Sequence, residues 1–518
     1  MQSIITKIKL INYKRFRNYI IEPNSHMNIL VGDNEVGKSS VLDAIDLVAS
    51  GNIRRAEAMG IDRLLNVDVV HEYRTGSRTF ENLPKVIIEL YLNGIFDHTM
   101  NGNNNTDGVI CDGIRLVCAP NPDYQTEIIE SMQEAKDYFP YDYYSIRFST
   151  FADEGYTGYK KKLRSILIDS TNMNSDYATT DFVKRMYTQH TEGNEKERAV
   201  HKSKYRQMKD KYSSDSLQAL NTRIPNYAFG LKPSLVTSLE GDLMIFEDSI
   251  GIDRKGTGKQ VFIKTDFALQ RSGSNIDVVL IEEPENHLSH VNLRNLVELV
   301  ANTRSGQLFI ATHNNLISTR LELRNLLIMH EGMLDKPTTL KDLNEDTAKY
   351  FMKAPVAGIL EFTISGKAIL VEGPSEYMLL EKFYESVTDK KPEKDGIHII
   401  DIRGLSFKRY LEIAQLLKNK VAVITDNDGN KQKHCIDKYS DFSNDSNIEV
   451  FFENDETKNT FEVVLHNDNQ TLCNKLFGAD ALSYMLKNKT EAAYQLLAQD
   501  EAIVVPAYIK GAIEWIKK

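Results

Sequence analysis

A glycine-rich loop between an apolar strand and a helix constrains the fold of this chain more than any other part of its sequence. The loop, Gly32–Ser39, reads Gly-Asp-Asn-Glu-Val-Gly-Lys-Ser and fits the pattern G-x-x-x-x-G-K-[ST]. The strand pattern of Asn28–Val31 precedes it, and a helix pattern begins at Lys38. Backbone N–H groups in such a loop, together with the N-terminus of the following helix, cradle phosphates. The sequence therefore predicts an α/β nucleotide-binding domain.

Individual residues of this loop have predicted contacts with the nucleotide. We expect Lys38 to reach the β- and γ-phosphates and the Ser39 hydroxyl to ligate Mg²⁺. A chance glycine turn is the alternative, and the strand–loop–helix context disfavours it. The predicted cofactors are ATP and Mg²⁺. The complete set of predicted nucleotide-binding residues in this part of the chain is Gly32, Asn34, Gly37, Lys38, Ser39 and Ser40.

A second apolar strand, far downstream, ends in acidic residues that complete the predicted site. Asp277–Glu285 reads Asp-Val-Val-Leu-Ile-Glu-Glu-Pro-Glu. We expect Glu282 to hold Mg²⁺, directly or through water, and Glu283 to position or deprotonate the attacking water. A further strand over 306–312 ends in His313, which is suited to sensing the γ-phosphate. An isolated histidine at a strand end is usually structural, but its interval after the acidic strand favours the functional interpretation.

Carboxylates also follow two apolar strands in the C-terminal third of the chain. Ala368–Glu372 ends in one acid, and Val421–Asp428 ends in Asp426 and Asp428. Because side chains alternate along a strand, we expect these two aspartates to point the same way. Parallel strands deliver their carboxyl ends to one edge of a sheet, so Glu372 should lie beside them. Such oxygen ligands suit Mg²⁺ or Mn²⁺ and predict a metal site for phosphodiester chemistry.

A charge-rich stretch over 177–216 separates the two parts of the nucleotide-binding domain. Lysine, arginine, glutamate and glutamine are dense there, and the pattern predicts solvated helix. We favour a helical insertion with an exposed face that could serve self-association. The alternative is a basic arm that tracks DNA, but charge runs are usually only solvated.

Patterns elsewhere complete the predicted organisation. Asn101–Gly108 is a polar turn cluster and predicts an exposed loop. The stretch 334–360 contains no strong apolar strand and is expected to be a connector. From Glu361 onward, strand and helix patterns alternate, which predicts a parallel α/β domain.

Composition sets few limits on the partners of the chain. Its 518 residues predict two to four domains. A net charge of −10 counts mildly against nucleic-acid binding, although a local basic face could still hold DNA.

The four cysteines lack the spacing of a metal site. No apolar run approaches the roughly 20 residues that span a bilayer, and the N-terminus lacks a signal-peptide core. The expected location is cytoplasmic, with no membrane partner.

The acidic end of the strand at Glu282 and the strand that ends in His313 resemble segments of a known protein family. Glu282–Glu285 and Ala311–Asn314, with the phosphate loop, resemble the ABC-type ATPases of the RecF, SMC and OLD group, in the OLD form. Gly256–Gln260 precedes an apolar helix and occupies the slot of the family's signature loop, although it departs from the usual Ser-Gly-Gly-Gln. The resemblance implies that Gly256 and Gly258 complete the ATP site of the opposite protomer, and therefore a homodimer or higher homo-oligomer.

The C-terminal third resembles a Toprim domain. Glu372 and Glu376 match the family's first motif, and Asp426 and Asp428 match its Asp-x-Asp motif. In the family these acids bind metal ions that activate the attacking water and stabilise the leaving oxygen.

Two further residues are implied by the same resemblance. Asn459–Glu462 resembles an OLD-type motif, which makes Glu462 a candidate metal ligand. The segment 506–514 resembles the one that carries the family's catalytic lysine, which makes Lys510 the candidate. A cation there would stabilise charge that develops on the scissile phosphate.

The resemblance as a whole implies an ATP-dependent DNA endonuclease of the OLD family, in which an ABC-type dimer gates a metal-dependent Toprim nuclease. Such proteins serve in bacterial antiphage defence, as in Gabija-type systems or as retron effectors, which implies a second component, protein or nucleic acid. The alternative is a RecF/SMC-like DNA-binding clamp for repair whose Toprim fold no longer cuts, and the intact acid set argues against it. Topoisomerase or primase activity is disfavoured, because the chain lacks room for strand-gate domains and an ABC head is foreign to a primase.

The implied fold class is α/β, with an ABC-type ATPase domain that carries a helical insertion and a C-terminal Toprim domain with a parallel sheet. The expected boundaries are 1–171 and 236–335 for the ATPase, 172–235 for the insertion, 336–362 for the connector and 363–518 for the Toprim domain.

Overall fold

A computed structural model describes the chain over 4–94, 97–134, 138–157, 162–169, 176–191, 194–224, 227–231, 239–269, 277–286, 288–302, 306–330, 335–353, 358–403 and 406–518. The chain divides into two units. The first comprises 1–30, 37–312 and 333–336, and the second comprises 31–36, 313–332 and 337–518. The predicted boundaries of the ATPase, insertion, connector and Toprim segments stay predictions.

The strands of the first unit belong mainly to two sheets. An antiparallel sheet has the order β2-β1-β4-β6-β5, with β7 paired to β6. In the other sheet β3, β12, β11 and β8 lie side by side and parallel. Every residue of β3, β11 and β12 is buried, as expected for continuous apolar strands that are covered on both faces. The strand bounds are β1 Ile4–Tyr13, β2 Phe16–Ile21, β3 Met27–Val31, β4 Val86–Asn93, β5 Asn101–Gly102, β6 Cys111–Pro120, β7 Tyr144–Thr150, β8 Ser165–Asp169, β9 Phe246–Glu247, β10 Ile250–Gly251, β11 Val278–Glu282 and β12 Gln307–Ala311.

The first helix of this unit lies between the two sheets. It contacts β4 and β6 on one side and β8, β11 and β12 on the other. Its residues from Val41 to Ser50 are buried almost without interruption, because a helix covered on both sides must be apolar around its circumference. The helix bounds are α1 Lys38–Ser50, α2 Ile53–Met59, α3 Ile61–Leu64, α4 Val67–Thr75, α5 Gln125–Glu134, α6 Asp176–His190, α7 Glu195–Ser216, α8 Gln218–Asn221, α9 Leu239–Asp242, α10 Thr257–Leu269 and α11 His290–Asn302.

The predicted solvated helix over 177–216 is two helices with different surroundings. Helix α6 buries Phe182, Val183 and Met186. Helix α7 is described along its whole length, and none of its residues is buried. The prediction of solvated helix therefore holds for α7, whereas α6 packs against the rest of its unit.

The polar cluster Asn101–Gly108 is predicted to be an exposed loop, and this prediction holds for most of it, although Asn105 is buried. Its first two residues form β5, which pairs with β6. The Asp107 carboxylate accepts hydrogen bonds from Lys7 and Lys9 on β1, at 2.5 and 2.7 Å. The hydroxyl of Thr106 donates to the buried Glu89 carboxylate at 2.7 Å. Hydrogen bonds to the neighbouring strands therefore hold this loop in place.

The second unit contains the C-terminal sheet, whose strand order is β16-β15-β17-β18 with every pair parallel. Helices α15 and α16 alternate with these strands, which confirms the predicted parallel α/β architecture of this part of the chain. The elements are α12 Asn315–Arg320, β13 Leu326–Ile328, β14 Thr338–Thr339, α13 Glu345–Lys353, α14 Ile359–Ile364, β15 Lys367–Val371, α15 Pro374–Thr388, β16 Ile397–Asp401, α16 Phe407–Leu417, β17 Lys420–Ile424, β18 Ile448–Phe451, α17 Phe461–Asp468, α18 Gln470–Phe477, α19 Ala481–Lys487, α20 Lys489–Leu497 and α21 Ala507–Lys517.

The stretch expected to be a plain connector contains helices α13 and α14. Helix α14 is anchored in the C-terminal domain, because the side-chain amide of Asn419 donates to the Phe362 carbonyl at 3.1 Å. The Phe362 ring also packs edge-on against Tyr410, with ring centroids 5.2 Å apart. Helix α14 is therefore part of the packed C-terminal domain.

No helix in the described ranges is both long enough and apolar enough to cross a membrane.

Candidate nucleotide and metal centres

Two glycines of the phosphate loop stand where no other residue fits. Gly32 has φ +148°, and a Cβ atom there would lie 2.2 Å from the Met329 carbonyl oxygen. Gly37 has φ +101°, and a Cβ atom there would lie 2.5 Å from the Phe16 ring. Both the backbone conformation and the close approach of neighbours require glycine. The loop is thereby shaped by its own fold, as the phosphate-binding prediction needs.

The Ser39 hydroxyl and the last residue of β11 form the acidic centre of the nucleotide site. Burial, together with the carboxylates of Asp169, Asp43 and Glu283, raises the pKa of Glu282 to about 7. A hydrogen bond from the Ser39 hydroxyl opposes this shift. Negative charge is therefore concentrated beside a hydroxyl at the start of α1. These oxygen donors fit a hard divalent cation such as Mg²⁺.

The predicted water-positioning glutamate follows directly after β11. Glu283 has a left-handed backbone, with φ +41°, and its N–H donates to the Ala311 carbonyl at 2.8 Å. Its carboxylate accepts a hydrogen bond from the Asn286 side-chain amide at 2.6 Å. Non-glycine residues held in this conformation cluster at functional sites, where surrounding contacts fix them. The position of the Glu283 carboxylate is therefore set by the loop around it.

The other predicted nucleotide-site residues differ in burial. Lys38, the first residue of α1, is only 7% exposed. His313 and Asn34 are exposed, and Ser39 is exposed next to a half-buried Ser40. Their contacts with a nucleotide stay predictions.

The predicted signature loop does not lie wholly before its helix. Gly256 is exposed and precedes α10, whereas Gly258 is buried in the first turn of that helix. Gln260 is also buried, and its side-chain amide donates to the Lys255 carbonyl at 2.8 Å. All of the expected loop except Gly256 is therefore helical, and its role at a neighbouring protomer stays a prediction.

The register of the C-terminal sheet brings Glu372 to the end of β17. Strands β15 and β17 are parallel neighbours, with Leu370 opposite Val423. Two residues beyond that pair, the Thr425 hydroxyl donates to the Glu372 carboxylate at 2.5 Å. The expectation that the two strands meet at one carboxyl edge is confirmed.

Four carboxylates gather at this edge, and we call them the acidic cluster. Burial, together with the charges of Glu372, Glu376 and Glu462, raises the pKa of Asp426 to about 8. Burial likewise raises the pKa of Glu376 to about 7, with Glu462 and Glu372 adding to the shift. Mutual repulsion of this kind is relieved by a proton or by a cation. The acidic cluster comprises Glu372, Glu376, Asp426 and Glu462.

The expectation that Asp426 and Asp428 share one face of a strand is wrong. Strand β17 ends at Ile424, so the alternation of side chains stops before either aspartate. Asp428 has φ +46°, its side chain is 61% exposed, and it lies 3.8 Å from the His434 ring nitrogen. Between the two, the buried amide of Asn427 donates to the Glu453 carbonyl at 2.8 Å. This contact turns the chain, and Asp426 alone of the pair joins the acidic cluster among the residues described.

Sequence reasoning missed a lysine at the acidic cluster. The Lys489 ammonium, on the first residue of α20, lies 2.9 Å from the buried Glu462 carboxylate. Burial raises the pKa of both Asp426 and Glu376, and the charge of Lys489 acts in the opposite direction on each. No local motif marks this lysine, because α20 is more than 100 residues from β15 along the chain.

The lysine predicted from the family motif lies in a different setting. Lys510 is 58% exposed, and its ammonium is 4.0 Å from Glu514 on the same helix. Tyr508 lies two residues earlier on the same helix. Burial raises its pKa, and the charges of Asp426 and Glu376 raise it as well. Tyr508 was also missed. The catalytic role of Lys510 stays a prediction.

The acidic cluster is not a preassembled metal cage. Among the residues described, no group of three or more histidine, cysteine, aspartate or glutamate side chains is arranged to hold a metal ion. Thr425 binds the Glu372 carboxylate and Lys489 binds that of Glu462, so protein donors occupy part of the cluster. The chemistry of the donors still fits Mg²⁺ or Mn²⁺, since all are carboxylate oxygens. The ligands best placed to hold such an ion are Glu372, Glu376 and Asp426.

Three family models match the chain. A model described as "Overcoming lysogenization defect protein-like, TOPRIM domain" matches 364–428. A model described as "AAA domain" matches 7–227. A second AAA domain model, whose description also names the AbiEii toxin of a Type IV TA system, matches 256–319. These matches confirm the predicted resemblance to the OLD family and the combination of an ATPase with a nuclease-type domain.

Several solved structures are similar to parts of the chain. The Smc head bound to the C-winged helix domain of ScpA is 14% identical, covering 65% of this chain and 99% of that one, with a TM-score of 0.35. RecF with ATP is 9% identical, covering 65% and 99%, with a TM-score of 0.36. The C-terminal region of the Xanthomonas campestris pv. campestris OLD protein is 19% identical, covering 30% and 95%, with a TM-score of 0.23. No curated protein matches the chain.

Proposed function

We propose that this chain, which joins an AAA ATPase to an OLD-like TOPRIM nuclease-type domain, is an ATP-hydrolysing, divalent-metal-dependent DNA endonuclease. The observation that carries the proposal is the acidic cluster at the carboxyl edge of the C-terminal sheet. Burial and mutual repulsion raise the pKa of both Asp426 and Glu376, so the cluster favours a counter-charge. Carboxylates of this kind hold the ions that catalyse phosphodiester hydrolysis in metal-dependent nucleases.

The residues of the cluster have distinct roles in this proposal. Glu372, Glu376 and Asp426 would hold Mg²⁺ or Mn²⁺, which activates water and stabilises the leaving oxygen when bound. The Thr425 hydroxyl fixes the orientation of the Glu372 carboxylate. The buried Asn427 amide fixes the loop that carries Asp426. These two hydrogen bonds restrain parts of the cluster before an ion binds, and Lys510 remains the candidate for stabilising the scissile phosphate.

ATP hydrolysis is assigned to a separate centre. Ser39 and Glu282 would hold Mg²⁺ with the nucleotide, and Lys38 would contact its phosphates. Glu283, fixed by Asn286, would position the attacking water. Because the two acidic centres are built from different residues, variants can silence one and leave the other working.

Self-association is part of the proposal, because Gly256–Gln260 would complete the ATP site of a second copy. We expect the chain to sediment as a homodimer or higher homo-oligomer when ATP is bound to the slowly hydrolysing Glu283→Gln variant. The same measurement without nucleotide is the control. A Glu283→Gln chain that stays monomeric with ATP bound would contradict the shared site.

The biological role proposed from the OLD resemblance is antiphage defence in the cytoplasm, with DNA as the target and a second component, protein or nucleic acid, as partner. One observation favours the alternative of a DNA-binding ATPase clamp without cleavage. The Glu462 carboxylate is bound by Lys489 and not open to a metal ion.

Incubation of the purified chain with supercoiled plasmid tests the proposal. We expect nicked or linear DNA when Mg²⁺ or Mn²⁺ is present, with and without ATP as separate arms, and intact plasmid when EDTA is added. The metal requirement follows from the charge of the acidic cluster. If the plasmid stays supercoiled with either metal, with ATP and with candidate partners, the nuclease assignment fails and the clamp takes its place.

A further inference from the structure

We propose that Asn315 is a positioning residue that couples bound ATP to DNA cleavage, because it holds the start of helix α14. The inference rests on the proposed function and names the contact through which the nucleotide would act on the acidic cluster. The observation that carries it is a hydrogen bond from the Leu360 backbone N–H to the Asn315 Oδ1 atom, 3.3 Å long. Both residues belong to the second unit, which also contains residues 31–36 of the phosphate loop.

Asn315 closely follows the histidine predicted to sense the γ-phosphate. It is the first residue of α12, two positions after His313. The side chain of the intervening Asn314 caps α12, accepting hydrogen bonds from the N–H groups of Leu316 and Ile317 at 2.9 and 3.4 Å. Because this cap fixes the turn between strand and helix, a displacement of His313 would carry Asn315 with it.

Helix α14 depends on Asn315 because its own cap residue cannot supply an acceptor. That residue, Gly358, has φ +101° and makes no side-chain hydrogen bond to the helix. The first N–H groups of a helix have no partner within the helix, and a buried amide without an acceptor is destabilising. Leu360, in the first turn, is only 7% exposed. Asn315 therefore supplies, from another helix, the acceptor that Gly358 lacks.

Two contacts connect α14 to the C-terminal sheet. The Glu361 carboxylate lies 3.0 Å from the Nδ1 atom of His398 on β16. The Phe362 carbonyl accepts a hydrogen bond at 3.1 Å from the side chain of Asn419, the residue before β17. Strands β16 and β17 flank β15, and Glu372 follows the end of β15. A shift of α14 would therefore act on both neighbours of the strand that carries Glu372.

Strand β17 leads from this contact to the acidic cluster. It spans five residues and is hydrogen-bonded to β15 on one side and to β18 on the other. Such a short, doubly paired strand moves as a unit, so a displacement at Asn419 is carried to Thr425, whose hydroxyl binds the Glu372 carboxylate. Coupling between two sites through packed elements amounts to about 5- to 150-fold in affinity.

The phosphate loop acts on the same part of the sheet. The hydrogen bond with Glu361 raises the pKa of His398, and the charge of Asp33 raises it as well. Asp33 is the second residue of the phosphate loop. The loop predicted to bind phosphate and helix α14 therefore both act on one histidine of β16.

Plasmid cleavage with and without saturating ATP tests the coupling. We expect the two rates of the parental chain to differ by about fivefold or more. In Asn315→Ala the two rates should agree to within about twofold, because α14 no longer follows the nucleotide site. A fluorescent ATP analogue should still bind to this variant. Asn315→Asp keeps an acceptor at the same place and should retain the parental ratio of rates.

Hydrogen exchange of α14 is a readout that does not depend on cleavage. Binding of the ATP analogue should change the exchange of residues 359–364 in the parent, and Asn315→Ala should lack this change. A cap with only a structural role would raise exchange in α14 without removing its response to nucleotide. The matched control is Asn52→Ala, which removes the Oδ1 acceptor that caps α2 at 3.2 Å from the Arg55 N–H. It should behave like the parent in both measurements.

The outcomes separate the inference from the proposed function. An Asn315→Ala chain with the parental ratio of cleavage rates would overturn the role of Asn315, as would a parental chain whose cleavage does not respond to ATP. The nuclease assignment would stand in both cases.

If no arm cuts DNA, the nuclease assignment fails and hydrogen exchange decides the inference. A nucleotide response of α14 that persists in Asn315→Ala, or is absent from the parent, would then overturn it. Thermal unfolding of each variant accompanies these measurements, and if Asn315→Ala fails to fold, Asn315→Ser takes its place.

Discussion

Asp426→Ala is expected to abolish metal-dependent DNA cleavage while ATP hydrolysis continues at close to the parental rate. The pKa of Asp426 is raised by burial and by the charges of Glu372, Glu376 and Glu462. Its removal takes a charge from the centre of the predicted metal site. The loss in cleavage should be at least on the order of 10²-fold, comparable to deleting one preorganised electrostatic group. Plasmid nicking and phosphate release, measured on the same preparation, report the two activities.

The matched control for this variant is Asp441→Ala, which removes an aspartate of the same unit whose side chain is 76% exposed. It should cut like the parent. EDTA should reproduce the effect of Asp426→Ala on the parental chain. Plasmid cleavage by Asp426→Ala at the parental rate would rule out the acidic cluster as the nuclease centre.

Glu283→Gln should have the converse effect, with ATP bound but hydrolysed slowly. The amide keeps the size of the side chain and the contact with Asn286, but it cannot accept a proton from water. We expect hydrolysis to slow by a factor on the order of 10² or more. Steady-state phosphate release measures the rate, and titration with a fluorescent ATP analogue measures binding.

Two other variants distinguish the roles at this centre. Lys38→Ala should weaken binding of the analogue, because it removes the cation predicted to contact the phosphates. Glu298→Gln, on the exposed side of α11, makes the same chemical change away from the site and should leave both measurements unchanged. If Glu283→Gln hydrolyses ATP like the parent, another residue activates the water.

The parts of the fold that sequence predicted well are those in which burial dictates composition. Strands β3, β11 and β12 are buried at every residue, and each contains a run of three or four consecutive apolar residues. The phosphate loop was equally predictable, because only glycine meets the backbone and space requirements at Gly32 and Gly37. In both cases only a few residue types can occupy the positions concerned.

The acidic cluster was predicted only in part, and the failures have physical causes. The apolar run before Asp426 does not indicate that β17 ends at Ile424. The residues that follow, Thr425 and Asn427, are buried because their side chains donate hydrogen bonds to Glu372 and Glu453. The strand rule was therefore applied to residues that lie in a loop. Polar residues buried by long-range contacts leave no periodic pattern.

Lys489 illustrates a different limit. In the sequence it is one of two nearby exposed lysines, and nothing local separates it from Lys487. The packing of α20 on α15 and α19, and of α19 on α17, brings it to Glu462. The helices α13 and α14 were missed for a similar reason, since amphipathic segments without a strong apolar run resemble a connector.

The close approach of Gly32 to the Met329 carbonyl has a consequence for genetics. A substitution at Gly32 would place a side-chain carbon 2.2 Å from a backbone oxygen, so the loop would have to rearrange even without nucleotide. An inactive allele at this codon would thus report on misfolding of the loop and not on a requirement for ATP. Lys38 carries no such backbone constraint, because it is the first residue of a regular helix. A phenotype from Lys38→Ala can therefore be read as a nucleotide requirement, and one from Gly32 cannot.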